Sequence, residues 1–158
     1  MIYGLFFICY IFQVENITSI DPVVIREEKD YDVDELKASV EDVVPMFTDD
    51  QREIYNTVLE AVKQNQSICV FIDARGGCGK TFLLNAILAA VRSLESGGSV
   101  ALAMATTGIA SNLLSLGRTF HSRLKAPMNP TEVSFLDISG QSALAKLVFY
   151  FTYLFLSI

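Results

Sequence analysis

Hydrophobic residues recur with two different periods in the middle of the chain, and their order predicts an α/β fold. Between Met46 and Lys63 the apolar positions fall three or four residues apart, which is typical of one buried helix face. A short apolar run at 68–73 predicts a buried strand, and the helical period returns from Thr81 to Leu94. Small apolar residues at 99–105 predict a second strand inside a parallel sheet. Strand, helix and strand at this spacing predict a βαβ crossover.

The first of these helices has a well-defined start. Thr48 is followed three residues later by Gln51, which is the capping-box pattern, because the Thr48 hydroxyl and the Gln51 amide can each satisfy a free backbone N–H group. An amide at position 51 is also suited to pair with both N6 and N7 of adenine. The pattern alone favours the capping box over the adenine contact.

Both ends of the chain depart from this pattern. Residues 1–14 are almost wholly apolar, but they are fewer than the roughly 20 residues that span a bilayer. Three interpretations compete for them, namely a weak signal or anchor, a buried strand, or sequence foreign to the domain, and we favour the third. Residues 15–45 are acidic and predict a linker, with a solvated helix over Val33–Glu41 as the alternative. Residues 149–158 contain no charge and predict an apolar tail, which could form a strand.

Length and charge limit the classes of protein that fit. A chain of 158 residues has room for one domain. The formal net charge of −6 is unevenly distributed, because residues 21–60 contain thirteen Asp or Glu and four Lys or Arg, whereas residues 61–158 contain four and eight. The mildly basic second part is compatible with a phosphate-bearing ligand, but it is not by itself evidence for DNA. The three cysteines show no metal-binding spacing and favour a reducing compartment.

The turn between the first strand and the second helix has the composition of a phosphate-binding loop. Its residues are, in order, Ala74, Arg75, Gly76, Gly77, Cys78, Gly79, Lys80, Thr81 and Phe82. Glycines let successive backbone N–H groups point at anionic oxygens, and the helix N-terminus adds a partial positive charge. Lys80 is expected to reach the β- and γ-phosphates of ATP, and Thr81 to offer its hydroxyl to Mg²⁺, so these two are the candidate catalytic residues. The P-loop pattern has glycine where Ala74 stands, and we expect the turn to survive if φ of Ala74 is negative.

Two further segments contain residues suited to phosphates and bases. They comprise Thr106, Thr107 and Gly108, and then Phe120, His121, Ser122 and Arg123. The first segment opens a helix at the carboxyl end of the second strand, which is where ligands bind in α/β sheets. The second mixes cations, hydroxyl groups and an aromatic ring, which suits a nucleic-acid backbone with a base stacked on the ring. On composition alone, a solvated surface turn with the Phe120 ring in the core is equally consistent.

These motifs together resemble a known family. The stretches that carry the resemblance are FTDDQREIYNTVLEAV, FIDARGGCGKTFLLNAILAAVR, ALAMATTGIASNLL and GRTFHSRLKAP. They resemble the petite-integration-frequency (Pif-type) family of ATP-dependent 5′-to-3′ DNA helicases, and in particular the helicases of Helitron transposons and their host relatives. The resemblance covers roughly Met46–Val148 and rests on four motifs in the family order.

The resemblance implies a fold, cofactors and partners. The expected fold is an α/β P-loop NTPase with a RecA-like parallel sheet and flanking helices, truncated before the Walker B strand. The expected domains are an apolar segment at 1–14, an acidic linker at 15–45, a partial helicase ATP-binding domain at 46–148 and an apolar tail at 149–158. ATP and Mg²⁺ are the implied cofactors, and single-stranded and forked DNA are the implied partners. The implied location is nuclear, with mitochondrial as the alternative, and the implied processes are DNA repair, recombination and telomere maintenance.

The resemblance also assigns roles to positions of this chain. Gln51 is implied to read adenine, which raises that interpretation above the capping box alone. The Gly-rich turn is implied to hold ATP and Mg²⁺. The segment 106–108 is implied to grip single-stranded DNA, and 120–123 to continue that contact.

The sequence departs from the family after a helix expected over Gln141–Val148. There the family has an apolar strand ending in Asp–Glu, whose Asp binds Mg²⁺ through water and whose Glu activates the attacking water, whereas residues 149–158 contain no carboxylate. The second lobe with its arginine finger is also missing, and such a finger is worth ~10³–10⁵ in rate in GTPases. We therefore expect weak nucleotide binding and negligible hydrolysis, and we interpret the chain as a fragment or a mis-spliced product of a larger helicase.

Three other functions remain open. A different P-loop class, such as a kinase or an AAA-type ATPase, would not respond to single-stranded DNA. A non-catalytic helicase remnant would bind nucleotide or DNA without turnover, and the missing carboxylates favour it for the chain itself. A membrane-anchored protein with apolar ends is the weakest alternative.

Overall fold

The computed structural model is an α/β arrangement built on one sheet. It describes residues 6–11, 26, 28–64, 66, 68–94, 101–129, 138–139 and 152–157. The strands in this part of the chain are β1 (Phe6–Ile11), β2 (Cys69–Phe71), β3 (Ala101–Ala105), β4 (Arg118–Thr119) and β5 (Thr152–Ser157). The α-helices are α1 (Val33–Val43), α2 (Asp49–Lys63), α3 (Lys80–Arg92), α4 (Gly108–Asn112) and α5 (Phe120–Leu124), with a 3₁₀ turn at Val44–Met46.

The sheet has the strand order β2-β1-β5-β3-β4. β1 is antiparallel to both of its neighbours, with Ile8 opposite Phe71 of β2 and Phe155 of β5. β3 lies between β5 and β4 and is parallel to both. It follows that β2, β3, β4 and β5 all run in one direction, so their carboxyl ends lie at the same edge of the sheet.

This topology confirms the α/β class and corrects the predicted sheet. The strands predicted at 68–73 and 99–105 are present as β2 and β3 and point the same way, but they are not neighbours, because β1 and β5 lie between them. The sheet is mixed rather than wholly parallel, since β1 runs against the other strands. Part of the apolar N-terminal stretch therefore lies within the sheet. The helix predicted over Gln141–Val148 falls outside the described residues, and the predicted domain boundaries stay a prediction.

The core forms where α2 and α3 pack beside β3. The predicted inner face of α3 is confirmed, since Leu84, Ile87, Leu88 and Val91 are each at most 1% exposed. All five residues of β3 are buried as well, as expected for a strand inside the sheet. Full burial of one large aliphatic side chain contributes about 1.5–3 kcal/mol. These two elements hold the loop that connects β2 to α3 in a fixed place.

The acidic segment before α2 contains a helix that packs on the domain. Asp32 caps α1 by accepting hydrogen bonds from the backbone N–H groups of Asp34 (2.8 Å) and Glu35 (3.2 Å). Val40 and Val43 of α1 are partly buried against the core. The helix predicted as the alternative to a linker is thus present, two residues longer at its end than Val33–Glu41. No helix within the described ranges is long and apolar enough to cross a membrane.

Candidate nucleotide and DNA site

The Gly-rich loop, defined as Ala74–Gly79, joins β2 to α3 and has the backbone of a tight turn. Gly77 and Gly79 have φ of 82° and 73°, a left-handed conformation that glycine adopts at little cost. A Cβ atom on Gly76 or Gly77 would meet no atom within 4 Å apart from the neighbouring residues in the chain, so the space beside both glycines is open. Ala74 is not among the non-glycine residues with positive φ, which are Leu116 and Lys125 in the described chain. The condition under which alanine can replace glycine is therefore met.

Lys80 is the first residue of α3 and its side chain folds back over the loop. Its Nζ donates hydrogen bonds to the carbonyl oxygens of Ala74 (2.6 Å) and Arg75 (2.5 Å). The residue is only 7% exposed, and in the described part of the chain it forms no ion pair with a carboxylate. A buried ammonium group held by two neutral carbonyls gains from an anion beside it. The loop therefore presents a positive charge to whatever enters the turn.

Gln51 joins the start of α2 to this loop. Its Oε1 accepts from the backbone N–H of Thr48 (3.2 Å) while the Thr48 hydroxyl accepts from the N–H of Gln51 (3.3 Å), so both halves of the predicted capping box are confirmed. Its Nε2 donates to the carbonyl oxygen of Cys78 (3.1 Å). A Cβ on Gly79 would lie 2.8 Å from that Nε2 atom. An amide has a second N–H and a second lone pair, so an adenine contact by Gln51 is compatible with the capping box.

The other loop residues lie around this centre. Cys78 is exposed and is a free thiol, and Arg75 is exposed. Thr81 is half-buried in the first turn of α3. The Phe82 ring packs edge-on against Phe47 at 5.7 Å, and Phe47 packs in the same way against Tyr55 at 5.3 Å, so three rings hold the start of α3 against α2.

The segment 106–108 follows β3 at the same sheet edge as the loop that follows β2. Thr107 caps α4, because its Oγ1 accepts from the N–H of Ala110 (3.2 Å). The Thr106 Oγ1 is buried and has no hydrogen-bond partner. Gly108 is exposed. The predicted contact segment is thus located at the carboxyl end of a strand, as the sequence predicted, with one hydroxyl still free.

The segment 120–123 forms α5, and its side chains divide into two groups. The rings of Phe120 and His121 are half-buried and pack edge-on at 5.9 Å, and Ser122 is exposed. Arg123, by contrast, is 4% exposed and donates from Nη1 to Glu28 Oε1 at 2.6 Å. The structure therefore places Arg123 inside the protein and not on the surface predicted to meet DNA. A DNA contact by this side chain would require the ion pair with Glu28 to open.

Sequence reasoning missed the residues that surround Arg123. Glu28, 5% exposed, looked like one member of an acidic run. Arg92 of α3 is 1% exposed and donates from Nη2 to the carbonyl oxygen of Ala101 (2.9 Å), and its guanidinium lies 5.6 Å from the centre of the Tyr31 ring. Burial lowers the pKa of Arg92 to about 10, with Tyr31 and Glu28 opposing that shift and Arg123 adding to it. No local sequence signal marks contacts between residues this far apart in the chain.

The family model for PIF1-like helicases matches residues 46–156, which is 111 of the 158 residues. The chain belongs to the PIF1-like helicase family. The comparison with curated proteins found no match to the chain. The family match confirms the resemblance found in the sequence, and it extends eight residues past Val148, so that it includes most of β5.

Membership of the PIF1-like helicase family gives the site a general class. It implies a nucleotide-binding helicase and the general use of ATP, Mg²⁺ and DNA. Three of the motifs that led to the resemblance lie at one edge of the sheet, at the ends of β2, β3 and β4, and the fourth, at the start of α2, reaches the Gly-rich loop through the hydrogen bond from Gln51 to Cys78. Within the described ranges, no three His, Cys, Asp or Glu side chains are grouped so as to hold a metal ion by themselves.

Proposed function

We propose that the chain is the nucleotide-binding part of an ATP-dependent 5′-to-3′ DNA helicase with a RecA-like P-loop motor. In the parent protein, ATP hydrolysis would be coupled to movement along single-stranded DNA and to the unwinding of forked DNA. The observation that carries this proposal is the buried Lys80, held over a Gly-rich loop by two carbonyl groups at the start of a helix. The family match supports it independently of the geometry.

The loop fits a triphosphate group. The space beside Gly76 and Gly77 is open, and no N-cap side chain occupies the N–H groups at the start of α3, where anionic oxygens would bind. Lys80 would leave the carbonyls of Ala74 and Arg75 and bind the β- and γ-phosphates, where a charge-assisted hydrogen bond is about twice as strong as a neutral one. Thr81 would supply a hydroxyl ligand to Mg²⁺, which neutralises phosphate charge when it is bound.

The base and the DNA strand would meet residues on either side of this loop. Gln51 lies within hydrogen-bond distance of the loop, which supports the proposed adenine contact. For DNA, the proposed contacts are Thr106, Thr107 and Gly108 together with Phe120, His121 and Ser122. The exposed positions of Thr107, Gly108 and Ser122 support this assignment. Arg123 would stabilise the 120–123 segment through its buried ion pair with Glu28 and would not contact DNA itself.

The test is nucleotide binding by the whole 158-residue chain. A fluorescent ATP analogue with Mg²⁺ would be titrated against the wild type, Lys80→Ala and the matched control Lys63→Ala, which removes an exposed lysine at the end of α2. We expect Lys80→Ala to weaken binding of the analogue roughly 10- to 100-fold, because it removes hydrogen bonds between charged groups. The affinity of Lys63→Ala should equal that of the wild type. Equal affinity in all three proteins would refute the P-loop assignment. Stimulation of binding or hydrolysis by oligo(dT) would separate a helicase from a small-molecule kinase.

A second candidate is a non-catalytic binding module. The observation that favours it is β5, which lies beside β3 and parallel to it yet contains no Asp or Glu in the sequence TYLFLS. In the helicase family, the strand after the corresponding helix ends in the two carboxylates of hydrolysis. Tight nucleotide binding without any phosphate release, with or without oligo(dT), would favour this function. DNA-stimulated turnover would exclude it.

The biological setting is proposed on family grounds alone. We propose a nuclear location for the parent helicase, with mitochondrial as the alternative, and roles in DNA repair, recombination or telomere maintenance. Imaging of the tagged parent protein would test the location.

A further inference from the structure

Asn85, in the middle of α3, binds the backbone of a segment that lies about 30 residues further along the chain. Its Nδ2 donates to the carbonyl oxygen of Leu113 (2.8 Å), and its Oδ1 accepts from the N–H of Ser115 (2.9 Å). The Asn85 amide thus donates one hydrogen bond to this turn and accepts one hydrogen bond from it. Only an amide of this length offers a donor and an acceptor together, so aspartate or leucine cannot replace it here.

The turn that Asn85 binds, residues 113–117, directly follows α4. It is tightly built, because Leu116 has a φ of 54° and a Cβ on Gly117 would lie only 2.2 Å from the carbonyl oxygen of Ser111. Arg123 donates from Nη2 to the carbonyl of Leu116 (3.3 Å) from the opposite end of the turn. Side chains from α3 and α5 therefore hold the 113–117 turn in place.

The two elements that Asn85 joins are the two halves of the proposed site. α3 begins at Lys80 in the Gly-rich loop, and Asn85 lies between one and two helical turns further on. α4 begins at Gly108, directly after the two threonines of the proposed DNA contact, and ends in the 113–117 turn. Any shift of α3 would therefore move the turn through two hydrogen bonds.

We infer that Asn85 is a positioning residue that ties the DNA-binding segment to the helix of the nucleotide loop. This inference rests on the proposed function. Asn85 itself contacts neither ligand. It keeps the 106–108 segment ordered, so that binding DNA does not have to supply that order.

The inference is tested on the full chain with Asn85→Leu, which keeps the number and branching of the side-chain heavy atoms and removes both hydrogen bonds. Asn56→Leu, on the exposed face of α2, is the matched control. Fluorescence anisotropy with labelled oligo(dT) and titration with the fluorescent ATP analogue give the two affinities separately. Amide hydrogen exchange at Ser115 reports the link itself without any ligand. Asn85→Ser, which is too short to reach the turn, is the second variant if Asn85→Leu does not fold.

We expect Asn85→Leu to weaken oligo(dT) binding by about tenfold, as the loss of two ordinary hydrogen bonds would, and to leave ATP-analogue binding unchanged. Exchange at Ser115 should accelerate while the amides of β3 stay protected. Equal loss of both affinities would show a merely structural role and overturn the inference, as would oligo(dT) binding equal to that of the control. Failure of the wild type to bind either ligand would instead refute the proposed function and, with it, the role of Asn85.

Discussion

Removal of the Glu28 carboxylate should destabilise this protein more than removal of any single surface charge. Glu28 and Arg123 are joined at 2.6 Å, and their side chains are only 6% and 2% exposed. Among the described residues, Glu28→Ala would leave the buried Arg123 guanidinium with the Leu116 carbonyl as its one remaining hydrogen-bond acceptor, since its Nε already has no partner there. A buried charge without its counterion is one of the most costly defects in a protein interior.

The expected magnitude follows from this burial. Loss of one partner of a buried ion pair costs about 3–5 kcal/mol, against a total stability of roughly 5–15 kcal/mol for a domain. For a chain of this size each kcal/mol lowers Tm by about 2–4 °C, so Glu28→Ala should melt roughly 6–20 °C below the wild type. Lys37→Ala is the matched control, because Lys37 pairs with Asp34 at 3.8 Å with side chains 50% and 95% exposed. Such a surface pair contributes about 0–1 kcal/mol.

The assay is thermal and urea unfolding of the full chain, followed by circular dichroism. The double variant Glu28→Leu with Arg123→Met removes both charges, and it should recover much of the lost stability because no unpaired charge remains buried. The reasoning would be refuted if Glu28→Ala cost no more than Lys37→Ala. The reasoning would also fail if the loss of unfolding free energy in the double variant equalled the sum of the losses in the two single variants, since the two sites would then be independent.

Three further results are expected. Gly117→Ala should lower the free energy of unfolding by about 1–3 kcal/mol, because the added Cβ would overlap the carbonyl oxygen of Ser111. Urea unfolding measures this loss, and an unchanged free energy of unfolding would contradict the tight turn. Burial raises the pKa of Tyr55 above its usual 10.0, so the folded state binds the proton more tightly and stability should fall as the pH rises past 10. Tyr55→Phe should reduce that fall in unfolding curves recorded between pH 8 and 11, and an unchanged slope would contradict it. Arg92→Met should cost less than Arg123→Met in the same urea assay, because Arg92 donates to a neutral backbone carbonyl, whereas Arg123→Met leaves the buried Glu28 carboxylate without its ion-pair partner.

The parts of the fold that depend on local periodicity were predicted from the sequence. Helix α3 and its buried face followed from apolar spacing, and the start of α2 followed from the capping box at Thr48 and Gln51, because both signals lie within a few residues. The Gly-rich loop was found for the same reason, since its turn and its lysine are consecutive in the chain. These are features that a short window of sequence determines.

The features that the sequence did not reveal depend on contacts between distant residues. The order of the strands was not predicted, because a strand pattern does not specify its neighbours, and the expectation of a wholly parallel sheet was wrong because β1 runs antiparallel to strands far along the chain. Arg123 was assigned to the surface by its motif, and only the position of Glu28, 95 residues away, shows that it is buried. Asn85 was assigned no role from the sequence, because its contacts are with a turn near residue 115.

The position of β1 inside the sheet, between β2 and β5, has a consequence for the order in which the molecule assembles. β1 pairs with β5 over residues 6–11 and 152–157, so β1 finds that partner only after residues 12–151 between the two strands have been synthesised. Until then β2 can pair with β1, while the other side of β1 presents unpaired backbone groups to neighbouring chains. Such long-range pairing gives slow folding and a period of exposure to aggregation. A nascent chain that carries this strand would therefore benefit from a chaperone that shields it during translation.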